Sequence, residues 1–324
     1  MSNNTDLVNS INNATMQINR YGPTFMIIFG TFSNILNICV LRERSLKKIP
    51  CTIYLCWSSI SAIVFIWSGL LTRTLQGYNI NWPNENQAPC KIRLYLLNIS
   101  WAVAIWALVG ANIDRFLCSH HSVMYRQLST AQLAKRFLMG IFTFFAFVFI
   151  EIFYCVEAKV PNVPVACYGR NLPCRVINDW VYLGVDIILP SIIISIFGTL
   201  TIRNARLRIV RPITNLIHQI TKTKNNIVLT RRNDRNLTHM LFIQVSFVFV
   251  LDLPFGIYRS YASLTANLSK SQYRVAIENL IYALIVLLVY FTHSTSFYIY
   301  TLTGKLYRAT FERLRRHYFN FNSI

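Results

Sequence analysis

Apolar residues along this chain come in blocks of about twenty, and charged residues gather in the gaps between blocks. The stretch Cys90 to Tyr125 sets the pattern. It runs apolar from Leu94 to Ile113, carries no charged side chain between Arg93 and Asp114, and ends in Asp114-Arg115-Phe116. At ~1.5 Å per residue, about twenty helical residues cover the roughly 30 Å hydrocarbon core of a bilayer. Further blocks of this kind give spans at about 21–41, 51–72, 92–117, 135–156, 180–202, 237–261 and 276–300. The prediction is an all-α, seven-transmembrane helix bundle over residues 21–302, with a polar tail at 1–20 and a second tail at 303–324.

Basic residues orient the bundle. Arg20 is the only one ahead of the first span, whereas Arg42, Arg44, Lys47 and Lys48 follow it. The positive-inside rule then sets the N-terminus outside. With that orientation the inner segments hold 22 of the 32 Lys and Arg. Residues 1–20 lack a basic and then apolar leader, so no cleavable signal peptide is expected. Sequons at Asn3, Asn13 and Asn267 then face outward as glycosylation candidates. Those at Asn98 and Asn236 fall within a span and on the inner side and read as chance matches.

Composition agrees: 54% of residues are hydrophobic and 14% charged, against about 25% charged in soluble domains. The net charge of +20 lies between apolar blocks rather than on one soluble face, which argues for membrane lipid and against nucleic acid. The longest inner loop, about 203–236, is basic and bears Thr214, Thr221, Thr223 and Thr230. In the last segment Leu302, Leu306, Phe311 and Leu314 alternate with Lys305, Arg308, Arg313, Arg315 and Arg316. This pattern suits an amphipathic helix on an anionic inner leaflet.

Acids inside a bilayer are functional candidates because an unpaired charge there is expensive. Glu151, Asp186, Asp252 and Glu278 all lie toward the outer half. With Asn98, Trp101, Tyr182 and Tyr282 they could line a pocket for a basic or amidated peptide, or they could pair with Arg73, Arg93, Arg175 and Arg259. Asp114 can pair with Arg115 and hold its guanidinium, or the two simply mark a polar boundary. Asp234 precedes Pro254 by 20 residues, about 30 Å along a helix. It is a candidate second partner for Arg115, or it neutralises Arg231, Arg232 and Arg235. Pro190 and Pro254 remove helical hydrogen bonds and allow kinks. Of eight cysteines, Cys90, Cys167 and Cys174 face the oxidising side, so one outer disulfide is expected, and the buried cysteines read as packing residues.

Seven spans, an outside N-terminus and Asp114-Arg115-Phe116 resemble a rhodopsin-like (class A) G-protein-coupled receptor over about residues 20–316. Cys90 precedes Arg115 by 25 residues, the family's spacing from disulfide cysteine to motif arginine. Gly30-Thr31-Phe32-Ser33-Asn34 resembles its Gly-x-x-x-Asn, and Pro190 and Pro254 stand where the family has prolines. Ser296-Phe297-Tyr298-Ile299-Tyr300 occupies the place of Asn-Pro-x-x-Tyr. Phe there, followed by Thr301-Leu302-Thr303-Gly304-Lys305, is similar to invertebrate neuropeptide receptors of the FMRFamide type. The resemblance implies a plasma-membrane receptor that binds an extracellular peptide ligand and activates a heterotrimeric G protein through Asp114, Arg115, Phe116, Asp234 and Tyr300, with Pro254 as pivot. It favours a Cys90–Cys167 disulfide, with Cys174 as competing partner. It implies no cofactor, no metal and no enzymatic activity.

Departures stand beside it. Ala62 replaces the sodium-binding Asp, Asp252 replaces the Trp before the span-six proline, Leu97 replaces the acid of amine receptors, and span four has no Trp. A transporter or channel is one competing class, and 11 Gly and no internal repeat speak against it; a non-signalling seven-helix membrane protein is the other, which the departures leave open. A retinal protein would need a Lys between Lys270 and Lys305, where there is none.

Overall fold

The computed structural model describes residues 2–47, 49–160, 167–210, 221–265 and 268–319; the side chains of residues 2–4, 205–239 and 317–319 lie outside that description. Asn267 therefore falls outside it, as do the side chains of Asn3, Asp234 and the threonines of the long loop. Among the described residues seven helices are long and apolar enough to cross a bilayer. They are α1 (Ser2–Leu41), α2 (Pro50–Gly77), α3 (Gln87–Ser119), α4 (Ala131–Val148), α5 (Leu172–Val181, running on to Val210), α6 (Thr221–Leu264) and α7 (Gln272–Ser294). A further helix, α8, spans Lys305–Phe319. The chain is a multi-pass membrane protein.

Local chemistry sets the helix starts. Pro50 opens α2, where its missing N–H costs nothing. Thr130 caps α4 by accepting from the Leu133 N–H, Asn171 caps α5 by accepting from Cys174, and Ser271 caps α7 by accepting from Arg274. In the apolar stretch of α3, 72% of residues are buried, against 22% in α4, so α3 is the central post and α4 a peripheral one. Phe142, Phe144 and Phe147 of α4 are exposed while Phe145 and Phe149 turn inward. An apolar outer face is what lipid solvates.

Four features go beyond the sequence pattern. First, α1 begins some twenty residues ahead of the first apolar block. It is pinned at Arg20, whose Nε donates to the Gly77 carbonyl at 3.0 Å and whose guanidinium covers Tyr78. Gly77 permits this, because a Cβ there would stand 2.7 Å from Arg20 Cα. Second, α5 passes through a π-helical segment, Tyr182–Ile188, just before Pro190. The Trp106 indole N–H donates to the loosened Val185 carbonyl at 3.2 Å, and Ser191 Oγ donates to Ile187 at 2.6 Å. Third, the seventh span breaks at Thr295 and resumes at Ser296–Thr303 without a proline. Thr292, Ser294 and Thr295 each donate a hydroxyl back to a carbonyl three or four residues earlier, an arrangement that bends helices. Fourth, a two-stranded hairpin, β1 (Val156–Glu157) against β2 (Tyr168–Gly169), forms beyond α4.

Helix α8 packs against the bundle by a face that includes Leu306 and Phe311 of the alternating set and adds Tyr307 and Thr310. Leu302 lies before it and is 76% exposed, whereas Tyr307 and Thr310 are buried and Leu306 and Phe311 pack against the core. Tyr307 is the anchor: its hydroxyl donates to Asn37 Oδ1 at 2.6 Å, and Asn37 Nδ2 donates to Ser59 Oγ at 2.7 Å. Tyr307→Phe would strand the buried Asn37 oxygen, at about 1–3 kcal/mol. The detergent-solubilised variant should melt several degrees below the parent; an unchanged Tm would show that α8 is not anchored through this bond.

Candidate functional site

At the Cys90 end of the bundle a cavity of about 650 Å³ opens between α2, α3, α5, α6 and α7. This is within the ~300–1,000 Å³ of ordinary ligand pockets. Its floor is aromatic. Trp101 meets Tyr182 edge-on at 4.2 Å and Phe65 at 5.0 Å, and Phe65 stacks on Tyr290 at 4.5 Å. Its side wall is the β1–β2 hairpin, held to the top of α3 by the Cys90–Cys167 disulfide, with Cα atoms 5.8 Å apart. Burial pushes the Tyr168 phenol of this wall up from its ordinary range.

Cys174 is not a competitor for Cys90. It pairs with Cys155, so there are two disulfides rather than one, and Cys155 is not a packing residue. The short turn Ile152–Cys155 carries this cysteine to the mouth of the bundle, and the Asn171 cap turns Cys174 toward it. The first bond tethers the hairpin to α3, and the second joins the turn after α4 to the start of α5 across the base of the hairpin.

Of the seven residues proposed from sequence to meet a ligand, Asn98, Trp101, Glu278 and Tyr282 line the cavity. Asn98 Nδ2 also donates to the Leu94 carbonyl at 2.7 Å. Tyr182, Asp186 and Asp252 do not line it. Tyr182 lies behind Trp101, fully buried. Asp186 and Asp252 face a separate crevice of about 20 Å³ beside Ser191, deeper between α3, α5 and α6. His293 Nε2 stands 3.8 Å from Asp252 Oδ2. Glu278, the one acid lining the cavity among the described residues, is already engaged by Lys270 at 2.6 Å, Arg274 at 3.0 Å and the Tyr261 hydroxyl at 2.8 Å. Glu151 turns to Asn178 of α5 instead.

The cavity is therefore cationic, contrary to the expectation of an acid-lined pocket for a basic peptide. Arg73, Arg93, Arg175, Arg259 and Lys270 line it against Glu278 alone. Arg73, Arg93 and Arg259 belong to helices α2, α3 and α6 rather than loops, so their side chains project into the bundle mouth. Arg259 is bound by Asp179 at 2.6 Å, and Ser263 also donates to Asp179. Asp179 escaped notice in the sequence because it lies just ahead of the apolar block of α5.

At the far end of α3, Asp114 and Arg115 are both buried. Arg115 Nη2 donates to Asp114 Oδ2 at 2.7 Å, and Ser129 Oγ donates to Asp114 Oδ1. Ser129 precedes α4, so this cluster ties two helices at that end. Phe116 packs edge-on to Phe197 of α5 at 5.2 Å. Tyr300 is buried and meets Tyr307 at 5.7 Å. Asp234 shares the unbroken helix α6 with Pro254. Asn13 is exposed on α1. Among the described residues no group of three or more metal-type ligands gathers. No protein-family model matches this chain, and neither does any curated protein sequence.

Two disulfides that share no cysteine give a direct check. Non-reducing peptide mapping should find Cys90–Cys167 and Cys155–Cys174. Cys174→Ser should expose one newly alkylatable thiol, Cys155, and leave Cys90–Cys167 intact. Recovery of a Cys90–Cys155 or Cys90–Cys174 peptide from the unmodified chain would refute the arrangement.

Proposed function

We propose that this chain is a plasma-membrane G-protein-coupled receptor of the class A type. Its ligand enters from outside into the cavity at the Cys90 end, and a heterotrimeric G protein docks at the Arg115 end. One observation carries the reading: a single buried helix, α3, has an open cavity at one end and a buried Asp-Arg pair at the other. Such a post can report occupancy at one end to the other. The disulfides belong with the oxidising side of the membrane, which favours the orientation with the N-terminus and Asn13 outside.

In this mechanism the Asp114–Arg115 pair and the Ser129 hydroxyl hold the resting arrangement. A ligand that favours an outward-swung α6 shifts the population toward a state with Arg115 open to the G protein. The break at Thr295 and the proline at Pro254 are the places where α7 and α6 have the slack to move. A cavity of about 650 Å³ takes a drug-sized molecule or the last few residues of a peptide, so an extracellular peptide is the ligand class that we propose.

The test is G-protein activation in cells expressing the chain, challenged with short peptides in free-acid and amidated forms. At least one should raise activation, and Arg115→Ala at equal surface expression should return it to background. A response that survives Arg115→Ala would remove the coupling role assigned to that end. No response to any peptide from a well-expressed chain would count against the receptor reading.

A further inference from the structure

Among the described residues three of the cavity's cations, Arg73, Arg93 and Arg175, have no carboxylate within 4.0 Å, and two of them, Arg73 and Arg93, face one another across the mouth. Arg259 has Asp179, and Lys270 has Glu278. Arg175 donates to the Gly169 carbonyl at 2.8 Å and covers Tyr168, at the hairpin wall. Arg73 lies over the Tyr282 ring at 4.9 Å, with no carboxylate within 4.0 Å among the described residues. Arg93 donates to Thr72 Oγ1 and Asn84 Oδ1, each at 3.1 Å, and its Nε is buried with no acceptor at all. The ionisable groups that act on Arg93 are Tyr290, Arg73 and Tyr282, and none of them is a carboxylate. Two like charges thus share a half-dry mouth, an arrangement that an incoming anion relieves and an incoming cation worsens.

We infer that the cavity's ligand carries a carboxylate seated at Arg73 and Arg93, with an apolar or aromatic group beneath it on the Phe65–Trp101–Tyr290 floor. Guanidinium groups match the two oxygens of a carboxylate, and Arg93 Nε offers a donor that nothing else uses. The aromatic floor below sets the second requirement, because it offers stacking area and no charge. The ligand is therefore a peptide with a free C-terminal carboxylate or acidic side chain, or a small aromatic acid. It is not the basic or amidated peptide that the sequence pattern suggested. This inference rests on the proposed function only in taking the cavity as the ligand site.

The experiment is a thermal-shift titration of the full chain in detergent, which needs no signalling. The probes are 3-phenylpropionate, its amide, 3-phenylpropylammonium, inorganic phosphate, and the peptide Ala-Ala-Phe as free acid and as amide. The acids at about ten times their Kd should raise Tm by about 3 °C. The amides and the ammonium ion should not. The gain should vanish in Arg73→Gln, whose side chain makes no described hydrogen bond, and shrink in Arg93→Lys, which keeps the charge but loses the fork. A peptide acid more effective than the small acid identifies a peptide terminus; the reverse identifies a small organic acid. Equal shifts from acid and amide, a stronger shift from the ammonium ion or phosphate, no shift from any probe, or a full shift in Arg73→Gln would each overturn the inference. A carboxylate shift in a chain that activates no G protein would defeat the receptor reading and leave this one standing.

Discussion

The cost of a polar group in hydrocarbon decides where the side chains of this bundle point. Lipid offers no hydrogen bonds, so a polar atom at that depth is costly unless it finds a partner inside the protein. Asn34 donates to the Gly30 and His293 carbonyls, joining α1 to α7. Asn37, Ser59 and Tyr307 form a second rung that joins α1, α2 and α8. Asp114, Arg115 and Ser129 form a third at the far end of α3. Further single bonds cross between helices, such as Ser58 Oγ to the Ala104 carbonyl and Gln244 Nε2 to Ser296 Oγ, amid aliphatic and aromatic packing. These bonds are directional where the apolar packing is not, and they fix the register of helices that apolar contacts alone would let slide.

The same constraint explains how the helices bend. A proline or a hydroxyl that disturbs a helix in lipid leaves a carbonyl to be satisfied. In α5 the widened π segment ahead of Pro190 is met by Trp106 from α3 and by Ser191. The bend is therefore tied to the central helix. In α7 three hydroxyls do the work that a proline would otherwise do, and the helix resumes at once at Ser296. Bends of this kind keep their hydrogen bonds, so they offer movement without a large penalty.

Much of the fold was legible because its signal is long. Twenty apolar residues in a row leave few alternatives, and seven such blocks became seven helices. The cavity was legible only in part, because facing depends on small rotations that periodicity does not resolve. Asp186 and Asp252 carry the same apolar context as Trp101, yet the wider turn of the π segment and the register of α6 send both acids to a crevice away from the cavity. Arg73 and Arg93 looked like boundary charges because they stand at the edges of apolar blocks. Helices α2 and α3 each continue past that edge, which carries the two guanidinium groups over the cavity rather than into solvent. Cys155 could not be told from a packing cysteine, since only the turn after α4 lifts it to the mouth.

Charge and chain path converge on α3. Its Cys90 end is fixed to the hairpin, its middle carries Trp101 in the aromatic floor, and its other end holds Asp114 and Arg115. Trp101 touches α2, α5, α6 and α7 through Phe65, Tyr182, Phe255 and His293. Phe255 directly follows Pro254, and His293 lies two residues before the break at Thr295. A group seated on this floor would therefore lie against residues beside the proline of α6 and the break of α7. His293 also faces Asp252, so a shift of the floor moves a buried histidine relative to a buried carboxylate. In close-packed interiors such clusters favour discrete rearrangements over gradual ones. The aromatic floor is thus the place where α3, fixed to the hairpin by its disulfide, meets the residues beside the proline of α6 and the break of α7.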